Sequence, residues 1–287
     1  MMSPRILFRR RLETIFKMTC KTLTWLSVII LLGLLLQICI KGITWVNVNF
    51  LTSFPSRFPE KAGIYSALWG TVWVISLTAL FAIPMGISAA IYLEEYGEKG
   101  ALKRFIQINI ANLAGVPSVI YGLLGLALFV RAGGMGRNLL SGSLTLSLLV
   151  LPVIIIATQE ALRSVPDSIR HGAYALGATK LQTIIHHVLP AGLPGIMTGI
   201  ILSLSRAIGE TAPLIIVGAA SYVAFLPSKI TDTFTTIPIQ IFNWSSRPQE
   251  AFQSLAGAAI IVLLLFLFIM NLAAIIIRDR AQRKNTW

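Results

Sequence analysis

Arg206 and Glu210 stand four residues apart inside a long apolar run, in the stretch Ser205-Arg-Ala-Ile-Gly-Glu-Thr-Ala-Pro-Leu214. The run begins near Ala191, so Arg206 falls about 15 residues, or roughly 22 Å at helical rise, beyond its start. Within a bilayer each such charge costs ~2.5–3.5 kcal/mol on insertion scales, and two of them need a reason. At this spacing the two side chains can meet on one helix face. A self-neutralising pair that only holds helices together is the structural alternative, but burial of an ion pair is weak support for stability. Intramembrane ionisable residues usually mark a pathway, and Gly209 and Pro213 loosen the helix just where exposed backbone would be useful. We therefore read Arg206, Glu210, Thr211 and Ser205 as lining a path.

The chemistry of the pair suits an oxyanion. Arginine stays charged and offers a planar donor fork to phosphate or carboxylate. A neighbouring glutamate repels a bare anion yet accepts a hydrogen bond from one that carries a proton. Phosphate near neutral pH carries such a proton, and sulfate does not.

The elements that must hold this pair are long and apolar. The 287-residue chain is 55% hydrophobic and 12% charged, with a mean hydropathy of +0.78, which excludes a soluble domain. Uncharged runs cover Thr22–Ile40, Ala62–Leu93, Phe105–Val130, Asn138–Gln159 and Ala251–Ile277, and a sixth apolar stretch runs from about Ala191 to Leu226. Each satisfies the requirement of ~20 apolar residues for crossing a bilayer. The expectation is an all-α polytopic membrane protein: a basic tail over 1–21, a six-helix domain over 22–277, and a tail over 278–287. Thr22–Ile40 is too long for a signal-peptide core and is read as a retained span. Cys20 and Cys39 lie about 28 Å apart along that helix and cannot pair.

The formal charge of +13 raises the question of nucleic acid, and its placement argues against it. With six spans both termini share one side. Assigned to that side, the N-terminal tail, the 94–104 loop, the 160–190 loop and the C-terminal tail hold 6, 3, 3 and 4 Lys plus Arg, or 16. The loops at 41–61, 131–137 and 227–250 hold 3, 2 and 2, or 7. This positive-inside bias makes both termini cytoplasmic, and Arg9-Arg10-Arg11 an orientation signal near anionic headgroups.

Pro84, Pro117, Pro152 and Pro213 lie inside spans two to five and are expected to kink them. Gly192, Gly195, Gly199 and Ser203 form a small-residue stripe that lets a second helix approach, within the chain or in a partner. Tyr65 and Trp69 fit an interfacial aromatic belt. The loop Pro227–Glu250 is unusually apolar, and is expected on the bilayer surface or as a landing site for an external partner.

One polar island interrupts the apolar runs, from Val165 to Ala191. Ser164 and Asp167 around Pro166 start a helix and Gly177 stops it; Thr179-x-x-Gln182 then forms a capping box for a second short helix, ended by Pro190. Ile169, Gly172, Ala173 and Leu176 give the first helix a small apolar face. Helices this short need something to dock on. Gly172-x4-Gly177 imitates half of a phosphate loop, but Ala178-Thr179 follow where Lys-Ser/Thr are required, so no nucleotide site is expected here. His171, His186 and His187 all lie in the island, but adjacent histidines diverge on a helix and no metal site is expected.

The island resembles the signature loop by which permease subunits of bacterial ATP-binding-cassette importers dock onto a separate ATPase. That signature reads Glu-Ala-Ala, three residues, Gly, nine residues, Ile-x-Leu-Pro. Ala173, Gly177, Leu189 and Pro190 match it, whereas His171 and Gly172 replace the Glu and first Ala, and His187 the Ile. The run Arg206-Ala-Ile-Gly-Glu-Thr-Ala-Pro213 resembles the fifth-span motif of A-type permeases of the high-affinity phosphate importer. So do Ala90-Ile-Tyr-Leu-Glu-Glu-Tyr96, Ala114-Gly-Val-Pro-Ser-Val-Ile-Tyr-Gly122 and Thr236-Ile-Pro-Ile-Gln-Ile-Phe-Asn-Trp244. The resemblance implies a type I importer permease fold in the plasma membrane of a bacterium. It implies as partners a second permease, two ATPase subunits that bind ATP and magnesium, an extracytoplasmic phosphate-binding protein, the lipid bilayer and inorganic phosphate. No cofactor is then expected in this chain, and Ile169, His171, Gly172, Ala173, Leu176, Gly177, Leu189 and Pro190 would form the ATPase coupling segment.

Rival classes fit less well. A secondary transporter would need an ion-coupling constellation beyond one Arg–Glu pair, and would work alone. A membrane enzyme would need a convergent nucleophile and base in the spans, and none is visible. A permease for sulfate, molybdate or phosphonate is the nearest rival.

Overall fold

The computed structural model describes residues 4–98, 100–219 and 222–283, and among them every regular element is a helix. In chain order these are α1 (Pro4–Gly42), α2 (Val48–Thr52), α3 (Tyr65–Ile91), α4 (Ala101–Ala114), α5 (Ser118–Gly125) and α6 (Leu139–Arg163). The elbow follows as α7 (Asp167–Ala175) and α8 (Lys180–Thr183), then α9 (Leu189–Ile208), α10 (Ala212–Val217), α11 (Ile237–Ser245) and α12 (Glu250–Arg283). Five single helices are long and apolar enough to span a bilayer: Leu12–Trp45, Tyr65–Tyr96, Leu139–Arg163, Lys180–Ile208 and Glu250–Arg280. The bent pair Ala101–Ala114 and Ser118–Ala132 passes the same test of length and composition taken together, and counts as a sixth span where the two halves cross as one. No helix breaks at 21/22 or 277/278, because α1 and α12 run straight through both expected boundaries. Residues 1–3 of the expected N-terminal tail and 284–287 of the expected C-terminal tail lie outside the described residues.

The third span is not one helix. α4 and α5 meet at 103° across Gly115-Val116-Pro117. Proline disfavours helical backbone at the residue before it, so α4 ends early and α5 starts fresh with Pro117 as its cap. The fifth run is also divided, since α9 stops at Ile208 and α10 begins two residues past Glu210. The Pro213 ring would clash with the carbonyl four residues earlier, at Gly209, so that proline opens α10. Pro117 and Pro213 therefore start helices. Pro84 and Pro152 stay inside α3 and α6.

Helix α6 is the hub and touches α3, α4, α5, α9 and α10. Its start is fixed by a capping box in which Asn138 accepts from Ser141 N–H at 2.9 Å and donates its own N–H to Ser141 Oγ at 3.1 Å. The Gly192–Ser203 stripe packs within the chain, against α6. A Cβ on Gly195 would stand 2.8 Å from the Ala161 methyl, and one on Gly199 would collide with Ala157. The central core joins Ile75, Ala82, Leu149, Ile154, Ile196 and Ile200 across α3, α6 and α9.

The stretch after Pro227 is core over 234–240 and at Trp244, while 228–231, Phe242 and 245–246 remain exposed. Phe234, Ile237, Ile239 and Trp244 are all at most 1% exposed, wedged between α3, α6 and α12. Burial of each is worth about 1.5–3 kcal/mol, more than a surface position returns. Ile237 N–H donates to Thr71 Oγ1 at 3.0 Å, and the Thr235 carbonyl rests on Gly70. In the preceding turn the Asp232 carboxylate accepts from the Ser228 and Lys229 N–H groups at 2.8 Å each. Those bonds, chiefly that from Lys229, hold its pKa below the usual carboxylate value. The Ile230 and Asp232 carbonyls then cap α6 by accepting from Leu140 and Leu139.

Helix α1 stands apart. None of its most apolar window is buried, and it meets α12 where Gly42 and Gly257 let the backbones touch. Cys20 and Cys39 are exposed on this one helix, unpaired. The Gly70 contact carries a test. Gly70→Ala puts a methyl into the Thr235 carbonyl and should destabilise the fold by about 1–3 kcal/mol, as overpacking does. Gly33→Ala, with open space around it, should be neutral. Thermal unfolding of the two purified variants in detergent checks this, and equal midpoints would refute the packing.

Candidate functional site

Arg206 occupies the last turn of α9, and Glu210 the break that follows. Arg206 Nε donates to Glu210 Oε1 at 3.4 Å; the two side chains are 48% and 16% exposed. The bond uses one donor, and the terminal nitrogens of the fork have no other protein partner among the described residues. The Arg206 side chain lies at the surface of this chain, and Glu210 is mostly covered. Behind the pair, Ala207 and Ile208 line, with Ile75 and Leu146, a void too small for a water molecule, about ten and seven residues into α3 and α6. At helical rise that is roughly 10–15 Å from the ends of those helices, which is membrane depth.

Both breaks in the bundle converge near Arg206. Gly122 of α5 lies against α10, where a Cβ would stand 2.8 Å from Pro213 Cα. The Tyr121 hydroxyl bridges the α4–α5 bend by donating to the Leu113 carbonyl at 2.8 Å, and lies within electrostatic reach of Arg206. Thr211 sits half-buried in the break with Glu210. Ser205 does not join them. Its hydroxyl bonds to Asn271 Oδ1 of α12 at 2.6 Å and to the Ile201 carbonyl, so it fastens α9 to α12. Neighbouring helix residues point apart, and only tertiary structure shows which way each turns. The sequence did contain a signal for Asn271, an amide with only apolar residues around it in the second half of the last apolar run.

The elbow forms as its caps dictate. Gly177, with φ +82°, ends α7 in a Schellman motif: Ala178 N–H donates to the Ala173 carbonyl and Gly177 N–H to that of Tyr174. Thr179 and Gln182 form the expected capping box at α8. Pro190, however, does not end that helix. A π turn over Ile184–Val188 widens the backbone just ahead of the proline, and the rod runs on as α9. Leu189 packs half-buried on the central core, and Pro190 is half-buried beside it.

The face expected for docking divides in two. Ala173 is buried and Ile169 packs on the core, so these anchor α7 to the bundle. His171, Gly172, Ala175 and Leu176 face outward, with Leu176 91% exposed and nothing within 4 Å of a Cβ on Gly172. Apart from His171 the outward surface is small and apolar, and it is open to a partner backbone.

Arg170 is a residue the sequence reading passed over. It donates to Glu95 Oε1 at 2.8 and 3.3 Å, to the Leu162 and Val165 carbonyls at 2.9 and 2.8 Å, and to Asp167 at 3.2 Å. The Glu95 bond raises its pKa above the usual arginine value, outweighing the desolvation that lowers it. Adjacent carboxylates at the end of an apolar run were the available sign.

Residues 82–284 match the family described as binding-protein-dependent transport system inner membrane component. The phosphate transport system permease protein PstA 1 of Mycobacterium tuberculosis is 36% identical over 242 residues, spanning 84% of this chain and 78% of that protein. The phosphate transport system permease protein PstA of Mycobacterium leprae is 34% identical over 255 residues, 88% of this chain and 81% of that one. Among solved structures, a bacterial alginate ABC transporter in complex with an alginate pentasaccharide-bound periplasmic protein superposes with a TM-score of 0.69. At 19% identity over 95% of this chain and 96% of that one, this is a likeness of fold. With its exposed elbow and its bundle of five straight spans and one bent one, the chain belongs to the binding-protein-dependent transport system inner membrane components, and is a multi-pass permease subunit of an ATP-binding-cassette importer.

Proposed function

We propose that this chain is one half of a two-permease pore that moves inorganic phosphate into a bacterium, with both termini cytoplasmic. The single observation that carries the reading is the Arg206–Glu210 pair at the meeting point of two broken helices, with most of the guanidinium fork free. Intramembrane charge at a helix break is where transporters place their substrate contacts. The arginine fork takes phosphate oxygens, and Glu210 accepts from the proton that phosphate keeps near neutral pH. The relatives whose printed names include phosphate transport support the same substrate.

A second permease completes the pore, two cytoplasmic ATPases bind ATP and magnesium, and an extracytoplasmic binding protein delivers phosphate. The exposed face of α7 (His171, Gly172, Ala175 and Leu176) seats in an ATPase, and closure of the ATPases rocks the half-bundles between outward- and inward-open states. High affinity belongs to the binding protein, since a conducting site must also release. Ser205, bonded to Asn271, holds the pathway helix in place.

Two measurements on the reconstituted complex test this. Arg206→Lys keeps the charge and loses the fork, so radiolabelled phosphate uptake should fall about tenfold, the equivalent of about 1.4 kcal/mol, while the subunits still copurify. Unchanged uptake would return the pair to a structural role, and sulfate uptake run in parallel would expose a different oxyanion. Gly177→Val forces a β-branched residue into left-handed backbone, a cost of about 1–3 kcal/mol, and should displace α7. ATPase activity should then stop responding to loaded binding protein; a full response in that variant would refute docking through this elbow.

A further inference from the structure

Where α3 ends, three consecutive residues grip three different elements. The helix closes in a π turn over Tyr92–Tyr96, sealed by Gly97 N–H donating to the Tyr92 carbonyl at 2.7 Å. Glu94 pairs with Arg163 at the end of α6 at 3.0 Å. Glu95 pairs with Arg170 of α7 at 2.8 Å. The Tyr96 ring lies under Lys180, at the start of α8, with the ammonium 4.8 Å from its centre. A π turn advances each residue through a smaller angle than an α-helix does, which keeps adjacent glutamates on one side. Such turns are frequent at functional sites.

These contacts differ in burial. Glu95 and Arg170 are 7% and 15% exposed, whereas Arg163 is 43% exposed. Solvent and salt weaken the outer pair, and the inner one acts at short range in a poorly solvated pocket. Arg170 also holds two carbonyls around the α6–α7 corner, so it moves with the elbow. Glu95 moves with α3, which carries Thr71 and Ile75 to the void beside Ala207 and Ile208. From Ile75 to Glu95 is about twenty residues, roughly 30 Å of helix. The elbow thus reaches the neighbourhood of Arg206 by a route other than the continuous α8–α9 rod.

We propose that Glu95, through its buried pair with Arg170, is the positioning residue that ties the ATPase-docking elbow to α3, so that movement of α7 drives the pathway-lining end of the bundle. The proposal rests on the reading of this chain as a phosphate-importer permease whose elbow docks an ATPase. With the pair intact, α3 follows α7. With it broken, α7 still seats in the ATPase but its motion is delivered to α6 and α9 alone. ATP is then spent with less substrate moved.

The test uses the whole complex in proteoliposomes, with phosphate moved per ATP hydrolysed as the readout. Glu95→Gln keeps shape and a hydrogen-bond acceptor while losing the charge. The ratio should fall about three- to tenfold, the range over which coupling residues act, with copurification and ATPase stimulation retained. Glu95→Asp keeps the charge and should recover part of the ratio. It also serves as the test variant if the Gln form does not assemble, with a ratio below wild type then expected. Lys180→Met removes the exposed cation–π contact and should leave the ratio unchanged. A wild-type ratio in an assembled Glu95 variant overturns the proposal. A wild-type complex that moves no phosphate instead overturns the function on which it rests.

Discussion

Hydrocarbon offers a peptide group nothing to bond with, and the fold is governed by where its helices break despite that. The chain breaks at 115–117 and again at 209–211, and the helices that follow the two breaks, α5 and α10, pack on each other. Gly122 lets α5 press against Pro213, and Tyr121 spends its hydroxyl on a carbonyl at the α4–α5 bend. The result is a small region of irregular backbone within the apolar runs, in which Gly115, Pro117 and Gly209 remain exposed on the surface of this chain. Arg206 and Glu210 occupy its edge. A charge pair there gains neighbours that already carry polar backbone, which lowers the cost of keeping it in the membrane.

The same constraint explains the two π turns that matter for motion. At 184–188 the wider turn lets Pro190 sit in a continuous rod, so the elbow passes into α9 without a hinge. At 92–96 it gathers Glu94, Glu95 and Tyr96 on the elbow side of α3. A rigid rod and a charged latch therefore leave the elbow in parallel. Packing between α6 and α9 is dry and close, through Ala157, Ala161, Gly195 and Gly199, so those two helices move together. α3 is the helix that needs an extra tie if all three are to follow the elbow.

At the opposite end of the bundle, residues 234–245 act as a plug. Their burial closes the space between α3, α6 and α12, and the Asp232 turn locks the start of α6 to the same segment. This end has few small outward contacts of the elbow type, and its order comes from aromatic packing such as Phe50 on Trp244, with ring centres 5.9 Å apart. Helix α1 and most of α12 keep their apolar faces outward, as surfaces meeting lipid or another subunit must.

Much of this was legible from residues alone, because the signals were local. Long uncharged runs gave the spans, Gly177 and the Thr179–Gln182 box gave the elbow, and two charges in an apolar run gave the candidate pathway. These depend on transfer energies, backbone sterics and capping bonds, which a short segment carries by itself. Direction and partnership were decided only by tertiary structure. Proline chemistry is the same at Pro152 and Pro213, yet one helix stays whole through its proline while the other begins anew. The apolar 234–245 segment has the composition of a surface layer and becomes core because α3 and α6 leave a slot for it. Ser205 and Arg206 are adjacent in sequence, but α12 claims one and the α9–α10 break frees the other. Arg170 and Glu95 are 75 positions apart, and their attraction acts only once α3 and α7 have been brought within hydrogen-bond range.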